Sequence, residues 1–388
     1  MDPHSVDQRE TRRTVRVFSV ASFLHDAGSD MIFSVWPLFL TSVLGANMQV
    51  VGLIDGLGDA IVSVSQAVSG YVSDRIRKRK IFVWTGYLLG GIAHAGYAIA
   101  LTWQWVIPFR LLDRSGKMRG SPRDAILSDV STRENRGRNF GILRMMDNAG
   151  AVAGILISIL LVGHIGYRTL FLIAALPSAL AVLLVLLFIR ETSTPGKIFK
   201  GIRLRDLTRS MRIYIFLSAI FSLGNFSYSF LLLFAKQAGF SVETIPVLYL
   251  LFSLAAALFS MPFGRLADRF NRKPVLLLSF IFWAATLALL AFANAMSAIV
   301  IAFVFYGLHK AALEPVQKAF AAELAPKDFV ASALGGLQMV IGLCSLPASL
   351  IAGILWDRVG IAAPFIFSLV LTTIAAAMLG FVKEERRA

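Results

Sequence analysis

One short string, met twice, limits what this chain can fold into. Gly70-Tyr-Val-Ser-Asp74-Arg75-Ile-Arg77-Lys78-Arg79-Lys80 lies between two long apolar runs, and Gly264-Arg-Leu-Ala-Asp268-Arg269-Phe-Asn271-Arg272-Lys273 repeats its pattern 194 positions later, half of the 388-residue chain. The same offset pairs Gly45 with Gly239, Gly141 with Gly335, Gly166 with Gly360 and Phe171 with Phe365. A solvated charge run explains one such string but not two in register, so two related halves are expected. In each string a glycine lets helices approach, an Asp can cap a helix end, and basic residues can sit beside anionic headgroups.

The runs between these strings are membrane spans by composition. Hydrophobic residues make up 57% of the chain, with 30 Phe, against about 45–50% apolar in soluble domains. A spanning helix needs about 20 apolar residues, and twelve such runs fall at 16–44, 50–72, 81–100, 105–128, 138–162, 169–189, 213–238, 245–266, 275–293, 298–322, 330–356 and 362–382. The expectation is an all-α integral membrane protein of 12 transmembrane helices in two pseudo-symmetric six-helix halves, 1–189 and 213–388, joined by a cytoplasmic linker, 190–212.

The net charge of +15 is not a nucleic-acid footprint, because the basic residues fall in every second loop, which is the positive-inside pattern. The arm before the first span carries Arg9, Arg12, Arg13 and Arg16, and the linker carries Arg190, Lys197, Lys200, Arg203, Arg205, Arg209 and Arg212. The loops 45–49, 101–104 and 294–297 carry no Lys or Arg. Both termini are therefore expected in the cytoplasm, with no cleaved signal peptide. The single cysteine, Cys344, excludes an internal disulfide and any cysteine-based metal site.

The paired string resembles the signature between the second and third helices of the major facilitator superfamily, repeated there between helices eight and nine. The resemblance covers the whole chain. It departs where that family has Gly two residues after the Arg; here stand Arg77 and Asn271. The resemblance implies twelve helices around a central site, with spans three, six, nine and twelve in an outer ring. Those four contain no Asp, Glu, Lys or Arg in their centres. It also implies a conformational latch formed by Gly70, Asp74 and Arg75 with Gly264, Asp268 and Arg269.

Charge inside the spans marks the chemistry, since an ionised side chain at the bilayer centre costs about 3 kcal/mol and is retained for pairing or transport. Span one carries His25, Asp26 and Asp30, with Ser22, Asp26 and Asp30 on one helical face, and span two repeats the spacing with Asp55, Asp59 and Ser63. Span four places Arg110, Asp113, Arg114 and Lys117 three and four residues apart, in a string running on through Arg119, Pro122, Arg123 and Asp124 that resembles one in a group of bacterial facilitators. Arg119 and Arg123 are expected to reach the cytoplasmic surface, Arg110 and Asp113 to be buried, and His94 of span three to be a satisfied polar contact. Span five holds Arg144, Asp147 and Asn148. Its Gly141-x8-Gly150-x3-Gly154 spacing resembles the facilitator antiporters, without their following Pro and Gly pair; small residues for close helix packing explain it equally well.

The second half lacks most of these charges: 194 positions on from Asp26, Asp55, Arg144 and Asp147 stand Ile220, Tyr249, Gln338 and Ile341. Proton coupling and substrate handling are therefore expected at Asp26, Asp30, Asp55, Asp59, Arg110, Asp113, Arg144 and Asp147. A substrate cavity is expected near His25, Asn225, Tyr228, Tyr249, His309 and Glu314. No phosphate-binding loop, H-E-x-x-H or G-x-S-x-G string is present, so no enzyme, cofactor or resident metal is expected. The expected activity is proton-coupled secondary transport in the bacterial inner membrane by a monomer, exporting a small amphipathic organic compound such as a drug, metabolite or siderophore. The alternatives are a proton-coupled importer, a divalent metal transporter that uses the acidic cluster, and a non-transporting sensor or lipid-handling protein.

Overall fold

The computed structural model describes residues 8–132, 135–191, 207–293, 295–325 and 330–383; most of the expected linker and the side chain of Asp74 lie outside the described residues. Within them the chain is helical and has no strand. The helices are α1 (Gln8–Phe33), α2 (Trp36–Leu38), α3 (Met48–Ile76), α4 (Lys80–Ile99), α5 (Trp103–Gly116), α6 (Gly120–Asp129), α7 (Arg136–Phe188), α8 (Arg209–Gly224), α9 (Ser229–Gln237), α10 (Ile245–Phe270), α11 (Arg272–Phe292), α12 (Met296–Leu324), α13 (Val330–Arg358) and α14 (Ala363–Leu379).

Among the described residues seven helices are long and apolar enough to cross a membrane by length and composition. Others fall short because they carry the charges singled out above, as α1 does, or because they are short, as α5, α6 and α14 are at 14, 10 and 17 residues. Every one of the twelve apolar runs is helical, but the boundaries differ. Pro37 follows the end of α1, and the chain continues through a π-helical turn, Phe39–Val43. The run 105–128 is α5 and α6 with a tight 3-10 turn, Lys117–Arg119, between them. The run 213–238 opens between α8 and α9 at residues 225–228. α7 covers two runs and bends at Gly166, whose φ of 71° and ψ of 171° are non-helical.

Backbone conformation keeps the duplication better than side chains do. Among the described residues six have a left-handed φ: Gly45, Gly166, Gly239, Gly360, Arg77 and Asn271. They form three pairs, each 194 residues apart. After Gly45 and Gly239 the chain reaches back to a helix end, Ala46 N–H bonding Leu40 O at 2.9 Å, six residues back, and Phe240 N–H bonding Ala235 O at 3.1 Å, five residues back, the reach-back that a left-handed glycine permits. Arg77 and Asn271 occupy the turn where the resembled signature has glycine. Both adopt a left-handed φ there although they carry a side chain.

The chain packs as two compact units, one of residues 1–36 and 61–198 and the other of 37–60 and 199–388. This differs from a division at the linker alone, because segment 37–60 packs with the second unit. In the first unit α1 and α4 pack on α7, and α4 on α5. Val15, Phe18, Val83, Tyr87, Leu143, Val182 and Val185 form one apolar core there. Gly150 and Gly154 of α7 lie so close to Phe23 O and Ala27 O of α1 that any side chain would strike backbone, whereas Gly141 has nothing nearby among the described residues. Close packing therefore accounts for two of these three glycines.

In the second unit α10 and α11 pack on α12, and α8 on α13 and α14. Segment 37–60 is seated on α13: Gly52 faces Ser349, Gly56 faces Leu346, and Gly353 faces Met48 and Gln49. The Asp357 carboxylate accepts the free N–H groups of Met48 (3.3 Å) and Gln49 (2.9 Å) at the start of α3, satisfying donors that have no partner within their own helix.

The helices expected in an outer ring carry outward aliphatic stripes. After its bend α7 exposes Leu172, Leu176, Leu180, Leu183 and Leu187, and α14 exposes Ile366, Val370 and Ile374. Leu176 is 64% and Leu187 70% exposed, and lipid supplies the apolar surroundings such a stripe requires.

Candidate functional site

The buried charges of the first unit form two groups, divided by neighbouring residues of α1. Successive positions on a helix turn by about 100°, so Asp26 faces α6 and the start of α7 while His25 faces α4. Around Asp26 stand Lys117, Arg119, Arg123 and Asp147, with Arg119 Nη2 3.7 Å from its carboxylate. Arg123 connects the group: its Nη1 donates to Ser22 Oγ at 2.6 Å and reaches Asp147 at 3.4 Å, and its Nε lies 3.3 Å from Asp124. Arg144 returns from α7 to Asp124 and to Asp147, both at 3.2 Å. Ser22 also shares a hydrogen bond with the Tyr87 hydroxyl at 3.0 Å, and the guanidinium of Arg119 lies over the Tyr87 ring at 4.8 Å.

Arg119 and Arg123 are thus not at the surface. They are only 5% and 6% exposed, because the 3-10 turn after Gly116 rotates them inward, and Gly86 and Gly116 meet backbone to backbone to let α4 and α5 close there. Sequence spacing could not show this rotation. The mixed-sign spacing of Arg119, Arg123 and Asp124 was the available signal.

The second group lies on α4 and α5. Asp113 is 1% exposed, with Arg110 Nη1 at 3.8 Å, Arg114 Nε at 3.7 Å and His94 Nε2 at 3.8 Å. Arg110 stacks on Trp36 at 4.5 Å and Phe33 at 5.4 Å, so its buried place is set by cation–π contact as well as by charge. Arg110 and Asp113 are buried, and His94, bonded through Nδ1 to Ala174 O, turns its Nε2 toward Asp113. His25, expected near a cavity, is fully buried between Tyr87 and His94. Asp30, further along α1, is half-buried.

Asp55 and Asp59 belong to the other unit. Asp55 is 2% exposed and accepts the Ser227 hydroxyl at 2.7 Å and the Ser229 hydroxyl at 2.5 Å, at the opening between α8 and α9. Asp59 is exposed, within electrostatic reach of Tyr306 and Lys310. Lys310 pairs with Glu314 at 3.2 Å. Tyr228 and Tyr249 meet edge-on at 5.2 Å beside Phe252, with Asn225 part-buried at the opening. His309 is fully buried, bonded to Ser279 O at 3.0 Å and stacked on Trp283. That is a packing position, since the imidazole is enclosed by its own unit.

In the paired loops the residues that hold are later than those expected. Arg75, Asp268 and Arg269 are exposed, Gly70 meets Ser121 only at ordinary contact distance, and Gly264 has no neighbour within 4 Å among the described residues. Close helix approach is thus not what these two glycines provide. Arg79 instead pairs with Asp129, and Arg272 with Glu323, acids 194 residues apart. Lys80 Nζ bonds Leu186 O at 2.8 Å and Lys273 Nζ bonds Gly380 O at 2.9 Å, carbonyls that are again 194 apart. Cations at helix C-termini are favourable. Glu191 caps α4 by accepting the N–H of Arg79 at 2.6 Å.

Comparison with known proteins agrees with this architecture. The profile of the Major Facilitator Superfamily matches residues 18–248 and 214–388. An uncharacterised MFS-type transporter of Methanocaldococcus jannaschii is 36% identical, over 98% of each chain. The multi-drug resistance efflux pump PmrA of Streptococcus pneumoniae is 26% identical over 81% of this chain and 82% of its own. Among solved structures, a mutant of the nucleoside transporter NupG superposes with a TM-score of 0.80 at 15% identity, covering 95% of this chain and 100% of its own; that similarity shows the fold. The charged groups in the spans, the duplicated loops and the matching profile together make this chain a multi-pass membrane transporter, not an enzyme, and a member of the major facilitator superfamily.

Proposed function

We propose that the protein is a proton-coupled exporter of a small amphipathic organic compound, with Asp26 as the carboxylate that exchanges the proton. One observation carries this reading: Asp26 lies inside a span, in contact with Arg119 and within reach of Lys117, Arg123 and Asp147. Nearby cations favour the ionised form of a carboxylate and burial favours the neutral form, so a movement that changes the distance between Asp26 and these cations exchanges a proton. Alternating access supplies the movement. Asp147 and Arg144 share the charge, and Asp30, Asp55, Asp59, Arg110 and Asp113 provide the remaining titratable and cationic positions. The direction rests on the similarity to PmrA, which is a weaker support than the site itself. We further propose a monomer in the cytoplasmic membrane with both termini inside, and a latch at Asp74, Arg75, Asp268 and Arg269 that the pairs at Arg79 and Arg272 brace.

The test is reconstitution into liposomes with an imposed pH gradient, a panel of amphipathic compounds and a trapped pH dye. Compound-dependent proton movement is expected, and Asp26→Asn is expected to abolish uphill transport while passive exchange of the same compound persists. Normal pH-driven accumulation by a folded Asp26→Asn protein sinks the assignment.

A further inference from the structure

In the starting arrangement the His94 ring turns Nδ1 to a backbone carbonyl and Nε2 to a carboxylate. Its Nδ1 is 3.3 Å from the carbonyl oxygen of Ala174 and 3.4 Å from Ser178 Oγ. A carbonyl only accepts, so Nδ1 carries the hydrogen. In a neutral imidazole Nε2 would then present a lone pair, and Nε2 points at Asp113 Oδ1, 3.8 Å away. Two acceptors facing each other, both fully buried, repel. Nor is there room for a mediating water: two hydrogen bonds of about 2.8 Å at a tetrahedral angle span about 4.6 Å. Among the described residues neither His94 Nε2 nor either oxygen of Asp113 has a hydrogen-bond partner.

We infer that His94 and Asp113 together hold one proton, as an imidazolium facing a carboxylate or as a neutral imidazole facing a carboxylic acid, and that Ser178 and His25 connect this proton-binding site to α1. The connection has a single consistent direction. With Nδ1–H of His94 turned toward Ser178 Oγ, the Ser178 hydroxyl donates to His25 Nδ1 at 3.0 Å. His25 then carries its own hydrogen on Nε2, toward Ser29 Oγ at 3.3 Å. Transfer balances: the Nδ1 proton of a His94 imidazolium moves to Ser178 Oγ as the hydroxyl proton of Ser178 moves to His25 Nδ1. His94 is left neutral with its proton on Nε2, and His25 becomes the imidazolium. Gly90 keeps the His25 ring in line, since a Cβ there would lie 2.5 Å from Cε1.

The charged and titratable groups facing the pair are Arg110, Arg114, Lys117 and Arg119 from the chain that carries Asp113, with Tyr97 of α4 and His25 of α1. α7 contributes Ser178 and the Ala174 carbonyl. Arg123 lies beyond His25. The site deepens the proposed proton coupling by adding a second station to Asp26, and it rests on that reading only for its use in transport.

The test therefore needs no substrate. The full-length protein, with nitrogen-labelled histidine, is placed in lipid nanodiscs and its five histidines are followed by NMR between about pH 5 and 9, the range across an ordinary histidine's titration. His94→Gln and His25→Gln assign the signals, and infrared difference spectra follow protonated carboxyl. The expected result is a His94 imidazolium near neutral pH, or a carboxyl band lost in Asp113→Asn, together with His25 protonated on Nε2. Should Asp113→Asn fail to fold, Asp113→Glu is expected to move that band. A neutral His94 with no Asp113-dependent carboxyl band overturns the inference. A proton found here without compound-driven proton flux in liposomes would instead count against the proposed function and leave this site standing.

Discussion

Asn271 has φ 78° and ψ 160°, a region that is almost reserved to glycine and costs about 1–3 kcal/mol for other residues. Asn271→Gly is therefore expected to stabilise the protein by about 1 kcal/mol or more, read as a higher midpoint in thermal denaturation in detergent. An unchanged or lower midpoint would show that the Asn side chain supplies an offsetting contact. Arg123 gives the opposite expectation. It is buried and serves Ser22, Asp124 and Asp147 at once, so Arg123→Ala strands buried acids and should cost about 3–5 kcal/mol, seen as lost monodisperse protein. Single residues were legible from sequence where they were charged inside an apolar run, as Asp26, Arg110, Asp113 and Asp147 were. Partners within one helix were legible as well, as Arg110 with Asp113 and Arg144 with Asp147; partners on other segments were not. Ser22 to Arg123 and Ser178 to His25 are contacts between distant segments, and no spacing within one helix encodes them.

At the scale of elements, sequence period located the helices and missed their interruptions. The opening between α8 and α9 contains neither Pro nor a left-handed glycine; it is held by hydroxyls on Asp55, a tertiary cause. The close crossing of α1 and α7 is testable by size. Gly154→Val would drive a branched side chain into Ala27 O, where backbone cannot yield, and overpacking of this kind costs about 1–3 kcal/mol or more. Gly141→Val, on the same helix with open space around it, should be tolerated. Equal expression and thermal stability of the two variants would argue against the crossing. For the outward stripe of α7, Leu180→Arg is expected to impair membrane insertion by about 3 kcal/mol, measured as the inserted fraction in a translation assay with microsomes.

For the whole molecule, the duplicated string made the fold class legible, because a register that spans the chain constrains both halves at once. Topology follows from loop charge and is checked by labelling. A cysteine at Gln49 or Met296 is expected to react with an impermeant thiol reagent in intact cells, and one at Arg190 only after permeabilisation. The reverse pattern would invert the orientation. What the repeat could not reveal was the allegiance of segment 37–60, because allegiance depends on packing and the repeat records only descent. That segment behaves as a loan made by the first half of the gene to the second half of the protein: its glycines and the N–H groups of Met48 and Gln49 are matched to Ser349, Gly353 and Asp357. A gene cut in the linker would therefore yield two polypeptides that each lack something the other carries. Expressed singly, the second polypeptide would bare the α13 surface and leave Asp357 without its helix end. Expressed together, the two should rescue one another, so that split-gene complementation becomes a direct assay of how firmly the loan is held.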